Sequence, residues 1–123
     1  MSSTLSNALT DALHDAVGDG LRTVALVDVP DQEYELAHMR ADIDEMYTGE
    51  MREDILEEVV FEHIAEARKE DLFPPLGGLE YTVRIYGKGI NLVGWTRETA
   101  VFVGLDRDPE LVPPAVSVCR REL

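Results

Sequence analysis

His14, His38 and His63 are the chain's only imidazoles, and Cys119 is its only thiol. A zinc centre needs three or four such ligands converging. The histidines stand 24 and 25 residues apart, so no local ligand pair exists. Glu58, Glu62 and Glu66 recur every four residues. On a helix that spacing gathers carboxylates on one face, yet the calcium-loop pattern of about 12 residues is missing. Cys119 has no His near it in sequence, and a nucleophilic thiol needs a base and an oxyanion hole. It reads as a core thiol. Ser2, Ser3, Ser6 and Ser117 lack a nucleophile-elbow context. Gly77-Gly78 and Gly87-Lys88-Gly89 read as turns, because neither opens a helix as a phosphate loop does. We expect no catalytic residue, no metal and no cofactor.

Charge narrows the partners. The 123 residues carry 25 acids against 11 bases, a net of −14, and only Lys69 and Lys88 among the cations are lysines. Such a surface suits a cytosol of molar salt, where screening to about 3 Å quiets carboxylate repulsion. Residues 1–62 hold 16 acids and three bases, whereas residues 63–123 hold nine and eight. The acidic half repels nucleic acid and anionic lipid. Tyr81, Tyr86 and Trp95 could stack bases, but Tyr81 and Tyr86 fall on opposite faces of their strand and no basic surface accompanies them. We therefore expect neither a nucleic-acid nor a membrane partner. No apolar run approaches the ~20 residues of a membrane span, and the first residues lack a signal-peptide pattern. The expected location is cytoplasmic.

The elements that must position these residues follow from periodicity. Leu5, Leu9, Leu13 and Val17 recur every four residues and predict a helix over 4–18, ended by Gly18 and Gly20. Residues 21–29 are apolar on both sides and read as a central strand. A turn at Pro30-Asp31-Gln32 leads to a second strand, Tyr34–Arg40, whose charges suit an edge. Asp42–Tyr47 reads as a short helix, and Thr48-Gly49 breaks it. From Met51 a long helix puts Leu56, Val59, Val60, His63, Ile64 and Ala67 on one face, with Phe61 off that stripe. Pro74-Pro75 and Gly77-Gly78 form a loop. Leu79–Ile85 alternates as a half-buried strand. Ile90–Trp95 and Ala100–Leu105 complete a meander. Pro113-Pro114 can only start a helix, so the last helix is expected to run from there to Leu123. The order is α-β-β-α-β-β-β-α, a five-stranded antiparallel sheet flanked by helices, in the mixed α/β (α+β) class.

This order resembles the Roadblock/light-chain domain, a profilin-like fold. The best-matching stretch is Leu79–Ile85, Gly87-Lys88-Gly89, Ile90–Trp95 and Ala100–Leu105, followed by an aliphatic helix. That stretch, with Tyr34–Arg40 and the segment around Met46-Tyr47, is also similar to small proteins of halophilic archaea that have no assigned activity. Residues 1–123 are thus expected to form a single Roadblock-like α/β domain. The resemblance implies a homodimer joined through the central helix and the strand after it. It also implies docking of a small Ras-like GTPase, or of a scaffold carrying one, without catalysis. The long segment 41–49 and the prolines of the last helix depart from the pattern.

Val60, Phe61 and Ile64 of the long helix, with Tyr81, Val83 and Ile85 of the following strand, are the expected dimer contact. They would form one self-complementary patch. Leu56 and Val59 are assigned to the monomer core. A different reading is a small-ligand sensor, with His38, Tyr86 and Trp95 lining a pocket between sheet and helices. A cavity on the order of several hundred Å³ would mark it. Arg84, Lys88, Arg97, Arg107, Arg120 and Arg121 could gather at hairpin tips against an acidic partner; scattered surface pairs are the simpler reading.

Overall fold

In the first helix, α1 (Ser3–Val17), the four-residue leucine repeat becomes one buried stripe. Leu9 and Leu13 have no exposure at all. The computed structural model describes residues 3–69, 76–96 and 98–123, and the side chains of residues 3, 4 and 63–69 are not among those described. His63, Ile64 and Ala67 of the expected helix stripe, the Pro74-Pro75 loop and Arg97 therefore lie outside the described side chains or residues. A 3-10 turn, Gly18–Gly20, ends α1. Gly18 takes φ +60 there, a conformation that only glycine adopts cheaply.

Two strands follow, β1 (Leu21–Asp28) and β2 (Glu33–Met39), paired antiparallel. In the turn between them the Asp31 amide donates to the Asp28 carboxylate at 3.1 Å. The short helix α2 (Ala41–Asp44) comes next. The long helix α3 (Gly49–Lys69) opens with the Thr48 hydroxyl accepting from the Met51 amide at 3.1 Å. That is the N-cap role expected of threonine. The meander is β3 (Tyr81–Ile85), β4 (Ile90–Trp95) and β5 (Thr99–Leu105). The last helix, α4 (Val112–Glu122), carries both prolines in its first turn, where their missing N–H groups cost nothing.

The sheet runs β2-β1-β5-β4-β3, antiparallel throughout. β1 is central and β2 is an edge, as the two-sided apolar run and the charged run require. The elements appear in the predicted order, with boundaries shifted by one to three residues, the short helix ending at Asp44 and not at Tyr47. Leu79 and Glu80 precede β3, although the Glu80 carbonyl still accepts from the Trp95 amide at 3.0 Å.

Alternation along the strands sorts the core into two layers. Val24, Leu26, Leu92, Val101 and Val103 face α1 and α4, where Ala115, Val118 and Cys119 complete the larger cluster. Val27, Val93 and Ala100 face the other way, against Leu56, Val59 and Val60 of α3. Arg40 locks the strand ends at the β2 exit. Its guanidinium takes both oxygens of Asp106 at 2.9 Å, both of Asp42 at 2.7 and 3.1 Å, and the Asp19 carbonyl at 2.7 Å. These bonds raise the Arg40 pKa.

The layers predict a contrast in stability. Leu13→Ala should lower the unfolding free energy by about 2–5 kcal/mol, read from the urea midpoint. Met46→Ala, at an exposed position, should change it by less than about 0.5 kcal/mol.

Candidate functional site

α3 crosses one face of the sheet with its aliphatic side down. Val60 is only 8% exposed and packs with Leu56 and Val59, whereas Phe61, one residue on, is 66% exposed. A step of one residue turns a side chain about 100° around the helix axis, so Phe61 leaves the sheet. Glu62 is buried beside it and is ion-paired with Arg84 of β3.

The pleat of β3 then separates the residues expected to act together. Thr82 and Arg84 face α3, in a hollow shared with Glu58, Glu62 and Val93. Tyr81 faces the opposite way, against the larger cluster, with the Arg120 guanidinium 5.7 Å from its ring centre. Val83 and Ile85 share Tyr81's face and are 40% and 52% exposed. The anticipated single patch of Val60, Phe61, Ile64, Tyr81, Val83 and Ile85 is therefore corrected. Val60 and Tyr81 pack into the monomer, and Val83 and Ile85 lie on the face away from α3. The reason is strand periodicity, which sends neighbours to opposite faces. Phe61, Val83 and Ile85 remain exposed; the Ile64 side chain is outside those described. β3 ends the sheet order, and among the described residues no strand pairs its outer edge.

The second trio does not converge either. His38 lies on β2, whereas Tyr86 and Trp95 lie at the ends of β3 and β4, across the sheet. Trp95 packs against the smaller cluster. Tyr86 is exposed, and its carbonyl accepts from Arg107 Nε at 3.0 Å. The ligand-pocket assignment of His38, Tyr86 and Trp95 is thus corrected: strands adjacent in sequence lie at opposite edges. A hollow does exist between sheet and helices, at another place. It measures about 80 Å³ and is roofed by α2 and α3, with Ile43, Arg52 and Ile55 among its walls. It is smaller than the sensor reading required, and the wider hollow of about 510 Å³ beside His38, lined also by Thr10, Asp11, His14 and Asp15, includes neither Tyr86 nor Trp95. Nothing in the local pattern flagged it, because its walls come from six separate elements.

His38 meets His14 of α1, ring centres 5.8 Å apart and nearly perpendicular. Burial is the first cause holding His38 below its ordinary 6.5, and the charges of His14 and Arg40 act in the same direction against a backbone bond at Leu21. Cys119 is fully buried, and burial pushes its thiol up to about 11. A thiol so placed is a poor nucleophile at neutral pH. Among the described residues no group of three or more His, Cys, Asp or Glu could hold a metal ion. None of the described helices is long and apolar enough to cross a membrane. The cations are dispersed: Arg120 pairs with Glu80 at 2.7 Å, Arg121 with Glu122 at 3.1 Å, and Arg84 with Glu62.

A five-stranded antiparallel sheet in the order 2-1-5-4-3, with α1 and α4 on one face and α3 on the other, is a Roadblock-like architecture. Two solved structures match it. The Roadblock/LC7 domain from Streptomyces avermitilis superimposes with a TM-score of 0.64 at 12% identity, covering 92% of this chain and 90% of that one. MglB of Myxococcus xanthus superimposes with a TM-score of 0.64 at 15% identity, covering 98% and 86%. No curated protein matches the chain in sequence. The family described as "Domain of unknown function (DUF7522)" matches residues 7–123, and the chain belongs to it.

The His14–His38 contact predicts an acid response. Because His38 binds its proton more weakly folded than unfolded, its stabilising contribution is present above pH 6.5. It is lost as pH falls through the folded-state value. The urea midpoint should fall between pH of about 7.5 and 5, and His38→Gln should fall less over the same range.

Proposed function

We propose that the chain is a non-catalytic homodimeric adaptor or regulator working in a salt-rich cytoplasm. Its partner, on the Roadblock resemblance, is a small Ras-like GTPase or a scaffold carrying one. The observation that supports this most is that among the described residues no strand pairs the outer edge of β3, and Val83 and Ile85 on that strand are exposed. An unpaired edge bearing aliphatic side chains is a template for another strand. Two copies related by a two-fold axis can pair β3 with β3 antiparallel, each supplying the same surface. The sheet then continues from one copy into the next. The ion pair of Glu62 with Arg84 ties α3 to β3 on the face opposite Val83 and Ile85, and the exposed Phe61 of that helix is the contact offered on that side.

The revised contact set is Phe61, Val83 and Ile85, with Ile64 retained from the sequence reading. The acidic outer face of α3 opposes close approach of two copies in dilute buffer. Molar salt screens that repulsion over about 3 Å.

Light scattering after size exclusion tests the reading, in KCl of ~2–3 M chosen for this screening. The wild type should run as a dimer. Val83→Asp should run as a folded monomer, because a carboxylate placed in the seam meets its own copy. A wild-type monomer would overturn the dimeric reading. The GTPase partner is tested by loading a small Ras-like GTPase with either nucleotide and measuring binding to the dimer. Equal absence of binding in both states sinks that part alone.

A further inference from the structure

We infer that the hollow beneath α2 and α3 is a binding site for a small carboxylate with a short apolar tail. The hollow begins with side-chain size. Thr23 of β1 pairs with Gly104 of β5, which pairs with Asn91 of β4. A row of small or short polar residues therefore crosses three strands where bulkier residues would fill the layer. Ala25 extends the low floor, and α2 and α3 span the gap above it. About 80 Å³ remains.

Its charge is unlike that of the rest of the surface. The chain carries a net −14, yet the walls of this hollow include Arg22 and Arg52 and no carboxylate. Other hollows are lined by Glu58 and Glu62, by Asp28, Glu33 and Glu35, or by Asp11 and Asp15. Arg52 pairs with Asp44 through one terminal nitrogen, which also donates to Met39 Sδ at 3.4 Å. Its Nε is buried and has no hydrogen-bond acceptor among the described residues. Arg22 donates one N–H to the Lys88 carbonyl at 2.8 Å, and the guanidinium has further donors.

The remaining guanidinium donors of the two wall arginines favour an anionic oxygen, and the bond is stronger for being charge-assisted. The remaining walls, such as Leu36, Ile43, Ile55 and Phe102, offer apolar surface for a tail. A cavity of about 150 Å³ accepts benzene. Roughly half that space suits a tail of about three or four carbons. The carboxylate head would lie toward Arg52 and Arg22, and the tail over Ala25 beneath α3. The site is separate from the β3 edge, so it stands or falls independently of the dimer.

The test is a methyl-resolved NMR titration of the full chain with pentanoate, and in parallel with 1-pentanol, at constant ionic strength. The expected result is saturable shifts at the methyls of Ala25, Leu36, Ile43 and Ile55. Pentanoate should bind about tenfold more tightly than pentanol, the difference one charge-assisted bond supplies. Arg52→Met should erase that preference while leaving the spectrum dispersed. Ala25→Leu should block both molecules by filling the floor. Should Ala25→Leu fail to fold, the comparison of pentanoate with pentanol and the Arg52→Met variant still decide. The inference is overturned by no saturable shift with pentanoate at about 50 mM, far above the affinity such contacts provide. Equal binding of the two molecules, or an Arg52→Met variant that keeps the preference, overturns it as well.

Discussion

The structure depends on burying the middle of the sheet on both faces. β1 and β5 sit between neighbours on each side and between helices above and below. Every side chain along such a strand must enter one of two layers. Val24, Leu26 and Val103 serve the layer under α1 and α4, and Val27 and Ala100 serve the layer under α3. The helices are held by this requirement more than by their own propensity. α3 is strongly acidic on its outer side and stays in place because Leu56, Val59 and Val60 close the second layer.

The same requirement relaxes toward the edges, and the surface features of the protein arise there. Among the described residues β3 has a neighbouring strand on one side only, and Val83 and Ile85 meet solvent although they continue the alternation of a buried face. At the other end, β2 contacts α1 through His38 and His14 and through the Ser6 hydroxyl, which donates to Glu35 at 2.7 Å. Both β2 and β3 end the sheet, and among the described residues neither outer edge is paired by a further strand. Under α2 and α3 the floor is lowered by Thr23, Gly104 and Ala25, and the second layer is incompletely filled. An open edge and an underfilled layer are separate departures from close packing.

Much of the architecture was legible in the residues. The Leu9–Leu13–Val17 stripe, the two-sided apolar runs of β1 and β5 and the alternation of β3 are local signals, each readable from spacing. The proline pair marked the start of α4, because proline tolerates only the first helical turn. The residues expected at a dimer contact were harder. Val60 and Phe61 are neighbours and equally apolar, and only the angle at which α3 meets the sheet makes one core and the other surface. The hollow was not legible at all, because its floor depends on which strand residues become partners across β1, β5 and β4.

Composition and periodicity by themselves determined the acidic surface, the element order and which segments alternate. These properties are local, since charge and side-chain direction repeat along the chain without reference to distant partners. Tertiary structure alone decided which face of β3 meets α3, that His38 lies across the sheet from Tyr86 and Trp95, and that two arginines line one underfilled layer. Such outcomes follow from strand order and register, which join residues far apart in sequence, and a one-residue change of register reverses every face.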